Sequence, residues 1–466
     1  MTTIHTHQNN IEAVPHDETT RKRVLLVSYH FPPVGGAGVQ RPAKFAKYLR
    51  EFGWDVSVIM AANPSVPVLD ESLLADIPAE TIIRKARTWE PGYKFKNNIA
   101  QQNQEEKHHQ KPNLFSRTKT KLKGIIRSAA KIILQPDPQV LWLPSAKKEA
   151  LKLLRSMPHD LILATAPSYS NLLLGSKLKK KTGLPLVLDY RDEWDISSKY
   201  LENSQRDRFS HFIQERMQKK ILRSADALIA TTEASTNHLL QRAKSFGTTL
   251  PGICIYNGFD DSDFEKINQQ TVSRVASKKL RIVYTGTLWN LTTVAPLTLA
   301  IEQLATTAPE ILQKLELVFV GRKTTEQQQL LERIAKTGCS IENRDYCEHT
   351  EALNLMNSAD VLCLLLSDVP GAERVAPAKL FEYLAMRKEI LAITPAGETA
   401  EIVKRYFPEN HFKGNEATGI ANWLQNKVQS DKKKNFTQQD ITPFNRKHQA
   451  EQLANYLNSI IKKTGN

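Results

Sequence analysis

One alternation constrains the fold of this chain more than anything else. A short apolar run leads to a turn rich in glycine or proline, and then to a stretch of helical period. Residues 24–27 are such a run. They break at Phe31-Pro32-Pro33-Val34-Gly35-Gly36-Ala37-Gly38, where proline and glycine forbid a regular element. Residues 39–52 then read as a helix, with Phe45, Tyr48 and Leu49 at helical spacing and Gly53 as its stop. Residues 55–60 are the next strand. A strand, loop, helix, strand unit requires a crossover and therefore a parallel sheet. The pattern resumes with strands at 160–165, 185–188, 227–231 and 253–256, and with helices at 168–182, 206–224 and 233–244.

A polar stretch, 260–279, reads as a linker. A second set of units starts beyond it, with strands at 281–285, 315–320, 361–366 and 389–394. Helices are expected at 293–305, 325–336 and 377–386, and a long final helix at 444–462. The chain is therefore α/β, in two halves of similar size, with no short solenoid repeat.

Composition excludes several classes. The 466 residues are 41% hydrophobic and 24% charged, which suits a globular protein of two or three domains. No apolar run reaches the ~18 residues of a spanning helix. Residues 1–20 are polar, so a disordered tail is expected and a secretory signal is not. Four cysteines (Cys254, Cys339, Cys347, Cys363) include no CxxC pair. A disulfide framework and a zinc ribbon are both excluded, and a reducing cytoplasm fits. Lys and Arg outnumber Asp and Glu by 64 to 49, a net of +15, which favours polyanionic partners. Residues 107–131 hold eight bases and no acid. Within them, 119–134 alternates bases with Leu122, Ile125, Ile126, Ala129, Ile132 and Ile133, the pattern of a helix with one apolar and one cationic face. Such a helix suits either a domain core or an anionic lipid surface. No zinc finger or RNA-stacking motif appears, so nucleic acid is not expected as a partner.

Three motifs carry candidate chemistry. Gly35-Gly36-Ala37-Gly38 opens a helix after a strand, which suits close approach of an anion. It is neither a dinucleotide fingerprint, since the third glycine would fall at Arg41, nor a Walker loop. Asp189-Tyr190-Arg191-Asp192-Glu193-Trp194 ends a strand, where open α/β sheets bind ligands. Two carboxylates, a guanidinium and an indole there read either as a site or as an ion-pair network. In the second half, Lys379 and Glu382 lie three apart at the start of a helix and share a face. A lysine at a helix start suits a diphosphate, and a carboxylate one turn later suits ribose hydroxyls. A surface salt bridge is the alternative.

Together these motifs resemble the retaining glycosyltransferases of family 4, which have the GT-B fold. The resemblance spans about 22–462. It rests on Tyr29-His30-Phe31-Pro32-Pro33 with Gly35-Gly36 and Arg41, and on Ala164-Thr165-Ala166-Pro167-Ser168-Tyr169-Ser170. It rests further on Asp189-Tyr190-Arg191-Asp192, Asn257-Gly258-Phe259-Asp260, Tyr284-Thr285-Gly286-Thr287, Phe319-Val320-Gly321-Arg322 and the run 379–384.

The resemblance implies two Rossmann-like domains across a cleft: an acceptor domain at 21–260, a linker at 261–279 and a donor domain at 280–440. A final segment, 441–466, is expected to cross back to the first domain. It implies a nucleotide-diphosphate sugar as donor, a glycan or lipid-linked acceptor, and retention of anomeric configuration. No metal and no cofactor are implied, because cations and helix dipoles stabilise the leaving diphosphate. Gly35, Gly36, Thr287, Arg322, Glu373, Lys379 and Glu382 are expected on the donor, and Arg41, Tyr169 and Trp194 on the acceptor side. Asp192 is expected to orient or deprotonate the acceptor hydroxyl, with Arg191 beside it on an anionic group or as structure. A cytoplasmic location is expected, with peripheral contact to an anionic membrane through 119–134.

Two features depart from the family pattern. Eight residues rather than seven separate Glu373 and Glu382, and Arg374 holds the matching position. The loop 286–293 contains no base, which leaves Arg322, Lys323 or Lys379 to meet the diphosphate. The same fold also serves a nucleotide-sugar epimerase, or a scaffold that binds lipid or polyanions without catalysis.

Overall fold

The computed structural model describes residues 21–66, 69–90, 92, 134–196, 208–268, 279–430 and 440–464. The expected tail 1–20 lies outside them, as does the basic amphipathic stretch except for Leu134.

Two parallel sheets organise the described residues. The first contains β1 (Lys22–Val27), β2 (Trp54–Ala61), β3 (Ile82–Ala86), β4 (Leu161–Ala166), β5 (Leu186–Tyr190), β6 (Ala227–Ala230) and β7 (Gly252–Cys254). Its order is β3-β2-β1-β4-β5-β6-β7. The second contains β8 (Leu280–Thr285), β9 (Leu315–Val320), β10 (Ser340–Arg344), β11 (Val361–Leu365), β12 (Glu389–Ile393) and β13 (His411–Phe412), in the order β10-β9-β8-β11-β12-β13. Each order reverses once, between β1 and β4 and between β8 and β11. Such a reversal leaves a crevice at the carboxyl ends of the strands, where ligands bind. Strands β4, β5 and β11 are buried along their whole length, because helices cover both faces.

The first helix, α1 (Ala37–Tyr48), starts directly after the glycine turn. No side chain caps it and no acid lies in its first turn. Its inner face adds Phe45 and Ala46 to an apolar cluster with Val24, Leu26, Trp54 and Val58. Ala450, Leu453, Ala454, Leu457 and Ile460 of the last helix, Arg446–Thr464, complete that cluster. The final helix therefore packs on the first sheet although it follows the second. Phe259 and Asn445 form a parallel bridge at the crossing. A Cβ on Gly258 would lie 2.1 Å from the carbonyl oxygen of Phe444, so only glycine lets the two segments meet.

The stretch expected to be a linker instead opens on a helix, Asp261–Asn268. Asp260 accepts hydrogen bonds from the amide (3.1 Å) and hydroxyl (2.9 Å) of Ser262, and Asp261 and Asp263 suit the positive helix end. Within its described part, Asp260 and Asp263 meet lysines of α1. The structure adds elements that the sequence reading does not contain: β3, β10, and helices Leu143–Ser156, His349–Asn357, Glu398–Tyr406 and Ala417–Gln429. Among the described residues, no helix is long and apolar enough to cross a membrane.

Candidate nucleotide-sugar cleft

The carboxyl ends of the two sheets face a shared cavity of about 370 Å³. Gly36 and Gln40 line it from the first domain. Gly286, Thr287, Gly321, Arg322, Lys379 and Glu382 line it from the second, with Tyr346 and His349. Five of the expected donor residues thus converge: Gly36, Thr287, Arg322, Lys379 and Glu382.

The helix Ala378–Ala385 carries the central pair. Pro377 precedes it, and Leu380, Phe381, Tyr383 and Leu384 bury its inner face. Lys379 and Glu382 are left on the cavity side. Lys379 Nζ donates to the Tyr284 hydroxyl at 2.9 Å and lies 4.1 Å from that ring's centroid. It pairs with no carboxylate among the described residues. Burial lowers its pKa, and the phenol of Tyr383 and the carboxylate of Glu382 offset this only in part. Glu382 accepts no side-chain hydrogen bond from a described residue. Burial raises its pKa against the pull of His349. Gly286 lies under the lysine: its φ is +130°, and a Cβ there would be 2.3 Å from Lys379 Nζ. That glycine lets the ammonium approach the strand end, which answers the absence of a base in the loop after β8.

Arg322 and Tyr346 sit at the mouth, with guanidinium and ring centroid 5.9 Å apart. Tyr346, Cys347 and His349 lie beyond β10, a strand with no clear pattern, and were not anticipated. His349 starts a helix, and its Nε2 is 3.9 Å from an oxygen of Asp263. Burial would lower its pKa, but Asp263 and Glu382 raise it overall. Arg446 of the last helix borders a small adjoining space that Glu382 and His349 also line. Its Nη1 donates to Gln449 Oε1 at 3.4 Å. Burial and the neighbouring Arg41 lower its pKa to about 9.

The three residues expected on the acceptor side are all buried in the first domain. Arg41 is 1% exposed and forms a buried pair with Asp189, Nη2 to Oδ1 at 2.9 Å. Its Nη1 donates to the carbonyls of Ile255 (2.8 Å) and Tyr256 (2.9 Å), and Thr165 Oγ1 donates to Asp189 at 2.8 Å. The pair ties α1 to β4, β5 and the chain after β7. Tyr169 and Trp194 are also buried, with ring centroids 4.6 Å apart. The Tyr169 hydroxyl donates to the carbonyl of Asp192 at 3.1 Å, and Trp194 Nε1 to Gln214 at 2.8 Å. They hold the turn after β5 from beneath.

Asp192 itself is exposed on that turn. The protein massed behind it raises its pKa, while Arg191 opposes the shift. Arg191 is 7% exposed and donates from Nε to Ala166 O (3.0 Å) and from Nη2 to Pro167 O (2.5 Å).

Glu373 does not line the cavity. Its carboxylate accepts from the Gly371 amide at 2.8 Å and from Arg374 Nη1 at 2.6 Å. Arg374 in turn pairs with Glu193 at 2.8 Å, linking the two domains. The additional residue before Glu382 is therefore spent on an interdomain contact. Gly35, one step before Gly36, is likewise not in the lining.

Among the described residues, one acidic group has the spacing of a metal site: Asp76, Asp260 and Asp263, with oxygens within 4.8 Å of one another. Lys44 Nζ already lies among them, at 2.6, 2.6 and 3.1 Å. The cation of that cluster is an ammonium.

No protein-family model matches the chain, and no curated protein matches it. Solved structures do. HepE of Anabaena, solved in complex with UDP, is 16% identical over 95% of this chain and 98% of its own, with a TM-score of 0.51. The N-terminal domain of trehalose-6-phosphate phosphatase from Candida albicans is 13% identical over 97% and 98%, at 0.54. The α,α-trehalose 6-phosphate synthase of Burkholderia multivorans is 11% identical over 96% and 97%, at 0.53. The fold is GT-B. At these identities the likeness is one of architecture, and any chemistry has to be argued from the cleft.

Proposed function

We propose that the protein is a retaining glycosyltransferase. It moves a sugar from a nucleotide-diphosphate donor to a glycan or lipid-linked acceptor, in the synthesis of a cell-surface polysaccharide. One observation carries this reading: Lys379 and Glu382 share a helix face on an interdomain cavity, and among the described residues neither is bonded to a group of opposite charge. An unpaired cation beside an unpaired carboxylate acceptor matches a ligand that offers anionic oxygens and hydroxyls about one helical turn apart. A ribose diphosphate is such a ligand.

Lys379, Arg322 and the amides at the start of the Ala378–Ala385 helix take the diphosphate. Glu382 accepts from the ribose hydroxyls. Arg322 and Tyr346 offer flat surfaces to the base. As the bond between the anomeric carbon and the phosphate oxygen breaks, its electron pair goes to that oxygen, where these cations stabilise the charge. The acceptor oxygen forms the new bond on the same face. Its proton passes to the leaving phosphate or to Asp192. This route needs no cofactor.

The test is thermal stabilisation by UDP, GDP or ADP without added metal, followed by turnover with the matching sugar nucleotide. One nucleotide should raise the Tm saturably. Asp192→Asn should keep that shift and lose about 10²-fold or more in turnover, the usual range for a general base. The absence of any nucleotide shift at millimolar concentration would overturn the donor assignment. Contact with an anionic membrane through 119–134 belongs to the same proposal. Replacing Lys119, Lys121, Lys123 and Arg127 with Glu should abolish pelleting with anionic vesicles, and unchanged pelleting would dismiss it.

A further inference from the structure

Glu193 follows Asp192 directly, but Asp192 is exposed and Glu193 is buried. The Glu193 side chain is 2% exposed and meets Arg374 of the second domain as a fork. Arg374 Nε donates to Oε1 at 2.8 Å and Nη2 to Oε2 at 3.1 Å. Ser235 Oγ donates to Oε1 at 2.6 Å, and His238 Nδ1 lies 2.7 Å from Oε2. The third guanidinium nitrogen, Nη1, reaches Glu373 at 2.6 Å. Both carboxylate oxygens and all three guanidinium nitrogens are therefore engaged. A two-bond fork fixes direction as well as distance.

Other contacts grip the same loop from both domains. From the first, Thr232 Oγ1 donates to the carbonyl of Arg374 at 2.7 Å. Gly371 has φ +101°, and a Cβ there would lie 2.8 Å from Ile196 Cγ1, so the loop touches the segment after β5 directly. From the second, Thr399 Oγ1 donates to Val375 O at 2.6 Å. Glu398 beside it completes the join: the Tyr256 hydroxyl donates to Oε1 at 2.5 Å and the Ala234 amide to Oε2 at 3.2 Å. Residues 371–375 thus lie between the Asp192 turn and the helix that carries Lys379, from which only Ala376 and Pro377 separate them. Neither Glu193 nor Arg374 is in the cavity lining. A buried ion pair is a poor source of net stability, because desolvation offsets most of its attraction. What it can supply is one specified arrangement of the parts it joins.

The geometry points to Glu193 and Arg374 as a positioning pair. They lock the turn that carries Asp192 to the loop that leads into the Lys379 helix. A ligand held by Lys379 and Glu382 thereby fixes the place of Asp192, although neither member of the pair lines the cavity. Calling that ligand a sugar donor and Asp192 the acceptor-side base rests on the glycosyltransferase reading. The mechanical link between the two segments does not.

Hydrogen exchange on the full chain tests the link, with and without whichever of UDP, GDP and ADP raises the Tm. Arg374→Gln is the main variant, since Glu193 keeps Ser235 and His238. Without nucleotide, exchange at 190–196 and at 371–375 should rise together by about tenfold, while β4 and β11 stay protected. Nucleotide should slow exchange at 190–196 in the wild type, and in Arg374→Gln it should slow the second domain alone. Nucleotide affinity should stay within about threefold, while turnover with the matching sugar nucleotide falls roughly 10- to 100-fold, the cost of a misplaced reacting group. Glu193→Gln combined with Arg374→Gln should be no worse than the worse single variant, because each acts through the other. A merely structural pair would lower nucleotide affinity and turnover together. Should Arg374→Gln not fold, Arg374→Lys carries the same comparison, with the fork lost and the charge kept. Unchanged exchange at 190–196 would overturn the proposal. So would a nucleotide effect there that survives the substitution, or additive losses in the double variant. If no nucleotide raises the Tm, the glycosyltransferase reading fails, and exchange in the free protein still decides whether the two segments are linked.

Discussion

Two groups of charged residues lie side by side between the domains, and they differ in how fully their partners are supplied. Under α1, Lys44 meets Asp76, Asp260 and Asp263, and Lys47 meets Asp76 and Asp260 at 2.9 and 3.0 Å. The Tyr48 hydroxyl adds a bond to Asp260 at 2.7 Å. In the neighbouring cavity, Lys379 has a phenol and Glu382 has no side-chain donor among the described residues. Both groups are rich in charge and both hold a Lys and an acid on helices. The saturated one holds the molecule together. The unsaturated one is the group that we propose meets a ligand. Charge alone does not separate structure from function here; the supply of partners does.

The sharpest way to break this contrast is to remove Lys44. Lys44→Met leaves three carboxylates around an apolar tip, with Lys47 beside Asp76 and Asp260 and His349 beside Asp263. Unfolding free energy should fall by about 3–5 kcal/mol, the usual cost of orphaning a buried pair, measured by urea denaturation. A loss under ~1 kcal/mol would mean that the cluster is no brace.

Lys379→Met should do the opposite to the fold and more to the ligand. The free protein should be no less stable, since a desolvated cation is removed. Nucleotide binding by calorimetry should weaken by roughly 10- to 100-fold, the worth of one charge-assisted contact. A stability loss with unchanged binding would move Lys379 into the structural group.

The smallest effect is in pH dependence, and its sign separates the two groups. Burial pushes Asp260 up, yet Lys44 beside it holds its carboxyl well below the usual range. Its contribution is present above about pH 3.9, the unfolded value, and is lost as pH falls through its lower folded pKa. Glu382 has a raised pKa, so its contribution is present below about pH 4.3 and is lost as pH rises through the folded value. Asp260→Asn should therefore flatten the acid limb of stability against pH. Glu382→Gln should remove the decline above pH 4.3 and weaken nucleotide binding about tenfold. Identical profiles for the two variants would erase the distinction.

The sequence by itself determined the architecture, because apolar runs of strand length alternating with helical periods admit one solution, the parallel sheet with crossovers. It located strands such as Leu315–Val320 and helices such as Thr325–Lys336 at their observed bounds. It also identified Lys379 and Glu382, whose spacing alone puts them on one helix face. Periodicity is a local property, and these features are local. It did not reach β10 or His349, where short polar elements carry no period. Nor did it tell that Arg41 would be buried against Asp189 while Asp192, three residues further on, would be exposed. Those outcomes depend on which charges meet across 148 residues of chain in one case and across none in the other. Only the tertiary structure decides that, since a charged side chain becomes a brace or a site according to what the rest of the fold brings within hydrogen-bonding distance.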